Sequence, residues 1–230
     1  MVGYRRYAVY AAPEGALGAF GAAWLGWDAT RGAAAEAREV VPGLPCPAEE
    51  LVAGPDRYGF HATIKAPFRL DAGRDADALD RALAAFAAAQ APVALEGLRL
   101  ARLGAFVALV AEGETAALDR LAAETVRELD GFRAPLQPEE VARRRPERLS
   151  PRQKALLDRW GYPFVMEEFR FHLTLTARLP PGQAEAVEAA LAPRLAPVLP
   201  RPFPISSLCL FGEAADGYFR LLRRYPLAGG

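Results

Sequence analysis

The chain has 230 residues, and Lys+Arg and Asp+Glu both number 28, so the formal net charge is zero. Hydrophobic residues are 52% and charged residues 24%, the composition of an ordinary soluble domain. The neutral balance argues against binding long nucleic acid, and two cysteines, Cys46 and Cys209, are too few for a disulfide framework or a cysteine-rich zinc site.

Residues 4–11 are rich in Tyr and Val and stop at Pro13, which predicts a strand. No uninterrupted apolar stretch precedes Pro13, and no later apolar run reaches membrane-span length. Neither a signal peptide nor a membrane segment is therefore expected, and the expected location is the cytoplasm. Residues 14–29 place Leu17, Phe20, Trp24 and Trp27 at helical spacing. The two tryptophans read as core packing rather than a base-stacking platform. Residues 30–57 carry no stable period and read as a loop with a short helix. A strand is expected over 58–69, a helix over 75–90, two strands over 93–103 and 105–111 turning at Gly104, and a helix over 114–130 closed by Gly131. The polar, Pro-rich stretch 133–150 reads as the connection between two lobes. Its run Arg143, Arg144, Arg145 and Arg148 reads as solvated charge, with phosphate contact as the alternative. Ser150-Pro151 opens a helix to Trp160. A strand follows over 168–179, a helix near 182–195, and strands near 203–212 and 217–226.

Both histidines of the chain sit in the same local pattern: Phe60-His61-Ala62-Thr63-Ile64 and Phe171-His172-Leu173-Thr174-Leu175. After each, the order helix, strand, tight turn, strand repeats at an offset near 111 residues. In a strand, residues i and i+2 share a face. His61, Thr63 and Lys65 then lie together, as do Arg170, His172, Thr174 and Thr176, while the apolar residues between them face a core. Two such strands on one cleft gather two imidazoles and two hydroxyls around a small anion. Imidazole titrates near neutrality, so one ring can take a proton from water while the other gives one to a leaving alkoxide. The hydroxyls can hold phosphoryl oxygens, and Lys65 or Arg170 can offset their charge. No third metal ligand stands at a motif spacing, and there is no nucleophile elbow and no Gly-rich phosphate loop. The site is therefore read without metal or cofactor.

At these residues the sequence resembles the 2H phosphoesterase superfamily, defined by two His-x-Thr/Ser motifs in two pseudo-symmetric lobes. Residues 6–13, 24–32, 58–68, 159–176 and 219–227 further resemble the uncharacterised branch encoded in bacterial phosphonate-utilisation operons. The resemblance implies catalytic His61 and His172 and phosphate-binding Thr63 and Thr174. Strand parity and proximity add Lys65, Arg170, Tyr58 and Thr176 to the substrate site. Each has an ordinary alternative: rim charges for Lys65 and Arg170, a packed aromatic for Tyr58, a residue out of reach for Thr176. Tyr218 and Arg220 are weaker additions.

The expected fold is α+β: one bilobal domain over 1–230 with two pseudo-symmetric lobes, antiparallel sheets and a central cleft. One lobe centres on His61 and the other on His172, with the connection near 133–150. The expected function is metal-independent hydrolysis of a small cyclic phosphodiester, sugar- or nucleotide-derived, such as a ribosyl cyclic phosphate of phosphonate metabolism. The rivals are an RNA-end 2′,3′-cyclic phosphodiesterase or 2′-5′ RNA ligase-like enzyme, and a non-catalytic phosphate-metabolite binding module. The expected partner is a small phosphorylated substrate, with no membrane. Oligomeric state and the division of acid and base roles between the histidines are not readable from sequence.

Overall fold

The computed structural model describes residues 3–229; Met1, Val2 and Gly230, which the single-domain reading also takes in, lie outside the described residues. Strand β1 (Tyr7–Ala11) is buried throughout. Helix α1 (Gly15–Leu25) ends where Gly26 turns left-handed at φ 75°, which releases Trp27 from the expected helix. Trp27 enters a short ribbon of β2 (Trp27–Asp28) and β3 (Ala33–Ala34), and α2 (Ala48–Val52) is the short helix of the following loop. Strand β4 (Ala62–Phe68) starts later than the sequence suggests. A 3-10 turn over Asp56–Tyr58 and Gly59, at φ 73°, take the residues before it. Helix α3 (Ala76–Ala88) is capped by Asp75, whose carboxylate accepts the Ala78 N–H at 2.7 Å.

Strand β5 (Val93–Leu95) precedes the hairpin of β6 (Gly97–Leu103) and β7 (Phe106–Glu112), which turns at Gly104 as expected. Helix α4 (Ala116–Leu129) follows. The stretch 133–150 is more than a solvated connection. It holds α5 (Pro138–Arg143), closed at its start by a reciprocal Gln137–Glu140 capping box. Helix α6 (Pro151–Trp160) carries the Ser150–Gln153 box that its sequence announces.

The expected 168–179 strand shortens to β8 (His172–Thr174). Beyond Thr174 the ladder breaks up. The N–H groups of Leu175 and Thr176 both donate to the Val107 carbonyl, and the Trp24 indole donates to the Leu175 carbonyl at 2.7 Å. Helix α7 (Gln183–Leu195), β9 (Phe203–Ile205), β10 (Ser207–Glu213) and β11 (Phe219–Pro226) complete the chain.

The architecture is α+β with an antiparallel sheet ordered β11-β10-β1-β4-β8-β7-β6. Its two half-sheets, β11-β10-β1-β4 and β8-β7-β6, meet through one registered pair, Ala62 opposite Leu173. The halves are pseudo-symmetric about that pair. From the seam outward, β4, β1, β10 on one side match β8, β7, β6 on the other, and β11 is an extra edge strand. The halves do not follow chain order. β10, which comes after the second histidine, completes the half-sheet of His61, while β6 and β7, which come after the first, complete that of His172. The two short strands β5 and β9 also pair across the repeat. Exchange of this kind ties the two halves together covalently and through the ladder.

One large core takes apolar side chains from α1, α3, α4 and α7 and from the sheet positions between the motif residues: Phe60, Ala62, Ile64, Phe171, Leu173 and Leu175. Alternation along each strand then turns His61, Thr63, His172 and Thr174 to the opposite face. A second, aromatic cluster of Tyr10, Trp27, Phe211 and Phe219 backs the His61 side of that face. Trp24 and Trp27 are core residues, each donating its indole N–H to a backbone carbonyl. Among the described residues, no helix is long and apolar enough to cross a membrane.

Candidate active site

Each motif has the form His-x-Thr, and Ala62 and Leu173 are the two x residues. Their pairing in antiparallel register sets His61 across from Thr174 and Thr63 across from His172. Four polar side chains thus form a square whose centre is the pseudo-two-fold axis. Diagonal neighbours of this kind lie roughly 7–8 Å apart at the backbone, which leaves room for one tetrahedral anion between the two rings.

The imidazoles are held alike. His61 Nδ1 lies 2.9 Å from the Gly59 carbonyl, and His172 Nδ1 lies 2.8 Å from the Arg170 carbonyl. A carbonyl only accepts, so both rings carry their proton on Nδ1 when neutral and present Nε2 as the working atom. The Gly59 position requires glycine, because at φ 73° it is in the left-handed region and a Cβ there would stand 2.6 Å from the Ala29 Cβ. The Thr63 hydroxyl donates to His61 Nε2 at 3.1 Å.

The surroundings are not alike. Tyr10, opposite Thr63 on β1, stacks under His61 with ring centres 3.6 Å apart. Ala108, opposite Thr174 on β7, holds the equivalent place beside the second motif. Among the described residues, the aromatic ring against His172 is that of Phe106, tilted at 5.8 Å. Burial pushes the His61 pKa down to about 4, with the nearby His172 adding to the effect and the Gly59 carbonyl opposing it. His61 is therefore neutral across the physiological range.

The four motif residues line one cleft of about 470 Å³. Tyr58 lines it too, stacked on Phe219 at 5.0 Å, and so do Tyr10, Arg6 and Tyr162. Arg143 and Arg144 of the 133–150 stretch line its rim; Arg143 is exposed, as solvated charge would be, and Arg144 is half-buried. The other parity-based additions are elsewhere. A register shift in β4 between Thr63 and Lys65 carries Lys65 off the motif face. Lys65 is 2% exposed, bonded to Asp130 at 3.1 Å and to the Val126 carbonyl at 3.3 Å in the last turn of α4. Burial lowers its pKa to about 8. Thr176 is buried where its hydroxyl accepts the Val107 N–H and donates to the Ala177 carbonyl. The Arg170 side chain is exposed and does not line the cleft; its backbone carbonyl serves His172. Tyr218 packs on Trp27 and Arg220 pairs with Asp216, both outside the cleft walls. Period-2 parity over 4–11 is the signal that could have paired Arg6, just before β1, with Tyr10, but nothing in the sequence signals the stack itself. Among the described residues, no three His, Cys, Asp or Glu side chains are grouped to hold a metal ion.

Paired His-x-Thr strands about a pseudo-two-fold axis, opening on one cleft, are the arrangement that the resemblance to the 2H phosphoesterases implies. Residues 63–220 match the family described as "Protein of unknown function (DUF1045)", and the chain belongs to that family. It is similar to proteins named "Ribose 1,5-bisphosphate phosphokinase PhnN". The one from Janthinobacterium sp. (strain Marseille) is 37% identical, over 97% of this chain and 51% of the relative. The one from Laribacter hongkongensis (strain HLHK9) is 36% identical, over 95% and 51%. The chain thus spans about half the length of the curated relatives it matches. Among solved structures it is similar to TT0787 of Thermus thermophilus, at 19% identity, TM-score 0.46 and coverage of 97% and 98%. It is also similar to E. coli LigT, at 15% identity, TM-score 0.46 and coverage of 98% and 99%.

Two measurements check this geometry. In an NMR titration, His61 should protonate near pH 4, and inorganic phosphate should raise that midpoint, because a bound anion favours the imidazolium. The folded value lies below the unfolded one of about 6.5, so this ring withdraws stability as pH falls from about 6.5 toward 4. A midpoint at or above 6.5 in the free protein would contradict the buried stack. In the second, Thr63→Val should weaken phosphate binding at least about tenfold, while Lys65→Met leaves it unchanged. Equal losses in the two variants, measured by calorimetry, would return Lys65 to the anion site.

Proposed function

We propose that this protein is a phosphoesterase that opens a small cyclic phosphodiester by two-histidine acid/base catalysis, without a metal. The observation that supports this reading is the Ala62–Leu173 register, which brings the two histidines and the two threonines to one cleft. In the proposed step, His61 Nε2 takes a proton from water as its oxygen attacks phosphorus. The ester P–O bond breaks, and His172, acting as the imidazolium with a proton on each ring nitrogen, gives its Nε2 proton to the departing sugar oxygen; exchange with solvent then removes the proton from His61 and returns one to His172. The products are a phosphomonoester and a free hydroxyl. His61 is assigned as base because burial keeps it neutral. Thr63 and Thr174 donate to the non-bridging oxygens, whose charge grows in the transition state.

A ribosyl cyclic phosphate is the substrate the comparisons favour. The relatives are named for ribose 1,5-bisphosphate, and opening a ribose 1,2-cyclic phosphate at its 2-oxygen leaves a ribose 1-phosphate group. This chain has no Gly-rich phosphate loop ending in Gly-Lys, so its share of such a relative is assigned the hydrolysis and not the kinase step. The reading places the enzyme among cytoplasmic sugar phosphates of phosphonate metabolism.

The test is turnover of a panel of cyclic phosphates. Wild-type protein should hydrolyse ribosyl or mononucleoside cyclic phosphates with EDTA present, and His61→Ala and His172→Ala should each lower kcat by about 10²-fold or more. EDTA-sensitive activity restored by zinc would contradict the metal-free step. Preference for a cyclic-ended oligonucleotide would move the substrate to RNA ends. Tight binding with no product would make the protein a binding module.

A further inference from the structure

Four arginines line the cleft: Arg6, Arg57, Arg143 and Arg144. Arg6 is committed, donating to both carboxylate oxygens of Glu213 at 2.6 and 2.8 Å. The other three hold no carboxylate among the described residues. Arg144 lies over the Tyr162 ring at 4.7 Å. Arg57 lies over the Tyr58 ring at 5.0 Å and donates to its hydroxyl at 3.1 Å. Arg143 donates only to the Glu139 carbonyl, at 3.3 Å. Glu140 is the single acid on the cleft wall, and Arg69 takes it at 2.9 Å. That ion pair and the Gln137–Glu140 capping box fix α5, from whose last turn Arg143 and Arg144 extend.

A cyclic phosphodiester carries one negative charge, and the motif square meets it with two imidazoles and two hydroxyls. It leaves the three guanidinium groups without an anion. Elsewhere in this neutral chain some arginines, such as Arg133, Arg220 and Arg223, hold a carboxylate and others do not; what sets Arg57, Arg143 and Arg144 apart is that all three line the cleft of the motif residues. Three guanidinium groups without a carboxylate thus line one cleft, where a dianion would find positive charge, and the planar guanidinium suits phosphate oxygens in pairs.

We propose that Arg57, Arg143 and Arg144 form a second anion subsite. It takes a phosphomonoester carried by the same substrate, away from the cyclic diester. This rests on the cyclic-phosphodiesterase reading and narrows it: the substrate is a sugar cyclic phosphate bearing a second phosphate, as ribose 5-phosphate closed into a 1,2-cyclic diester would be. The supplying reaction must leave a cyclic diester on an already phosphorylated sugar, and the consuming reaction must accept a sugar bisphosphate.

The test compares hydrolysis of ribose 1,2-cyclic phosphate with that of its 5-phosphate. Wild-type protein, the Arg143→Ala/Arg144→Ala pair and the charge-preserving Arg143→Lys/Arg144→Lys pair are assayed on both. Wild type should prefer the 5-phosphate at least about thirtyfold, mainly through KM, because each hydrogen bond to a charged group is worth about tenfold or more. The alanine pair should erase most of that preference, and the lysine pair, which keeps the charge but not the paired contacts, should retain a part of it. Equal handling of the two compounds by wild type, or a preference that survives in the alanine pair, would overturn the subsite. A cyclic-ended dinucleotide preferred over both, with that preference lost in the alanine pair, would assign the rim to an RNA backbone and overturn the phosphomonoester. Turnover of neither ribosyl compound would be the failure of the phosphodiesterase reading. Calorimetry with ribose 1,5-bisphosphate then decides the subsite: a loss of about tenfold or more in the alanine pair supports it, and equal affinity overturns it.

Discussion

A single rung of the sheet, Ala62 opposite Leu173, carries the organisation of this molecule. Both residues are fully buried, and each is the middle residue of a His-x-Thr motif. Burial of the two apolar side chains on the helical side fixes the register, because a slip of one residue turns a histidine and a threonine into the core. The same constraint sets each histidine across from the other motif's threonine. The exchange of β10 and the β6–β7 hairpin between halves makes the seam a consequence of the whole topology rather than of one hydrogen-bonded pair.

The backbone is symmetric about this rung, while the floor of the cleft is not. Tyr10 on β1 and Ala108 on β7 hold matching positions, so the His61 imidazole lies on an aromatic ring while the ring against His172 is Phe106, tilted at 5.8 Å. Two groups of identical chemistry thereby receive different environments, which is how a pair of like residues divides acid and base work. The loops break the symmetry further. The segment between α4 and β8 folds α5 over the cleft and brings Arg143 and Arg144 to it.

The paired motifs were legible in sequence because period-2 alternation and a duplicated pattern are local signals. His61, Thr63, His172 and Thr174 all reach one cleft, and the helices over 75–90, 114–130, 151–160 and 182–195 form close to their expected bounds. Parity failed where the ladder stops or shifts. Lys65 lies past a register shift in β4, which sends its ammonium to the C-terminal carbonyls of α4. Thr176 lies past the end of β8, where its hydroxyl satisfies backbone groups instead. The place of the arginine run beside the cleft was not legible for another reason. A polar, Pro-rich segment gives no periodic signal of the surface it lies against; long-range contacts such as Arg69–Glu140, across 71 residues, show where α5 goes.

The central claim is that both motifs grip one phosphoryl group on the pseudo-two-fold axis. It is tested most directly by a crystal structure of the protein with inorganic phosphate. One phosphate should lie within hydrogen-bond distance of Nε2 of His61 and His172 and of the hydroxyls of Thr63 and Thr174, with both Nδ1 atoms still on the Gly59 and Arg170 carbonyls. A phosphate bound by one motif alone, or outside the cleft with the square left untouched, would contradict it.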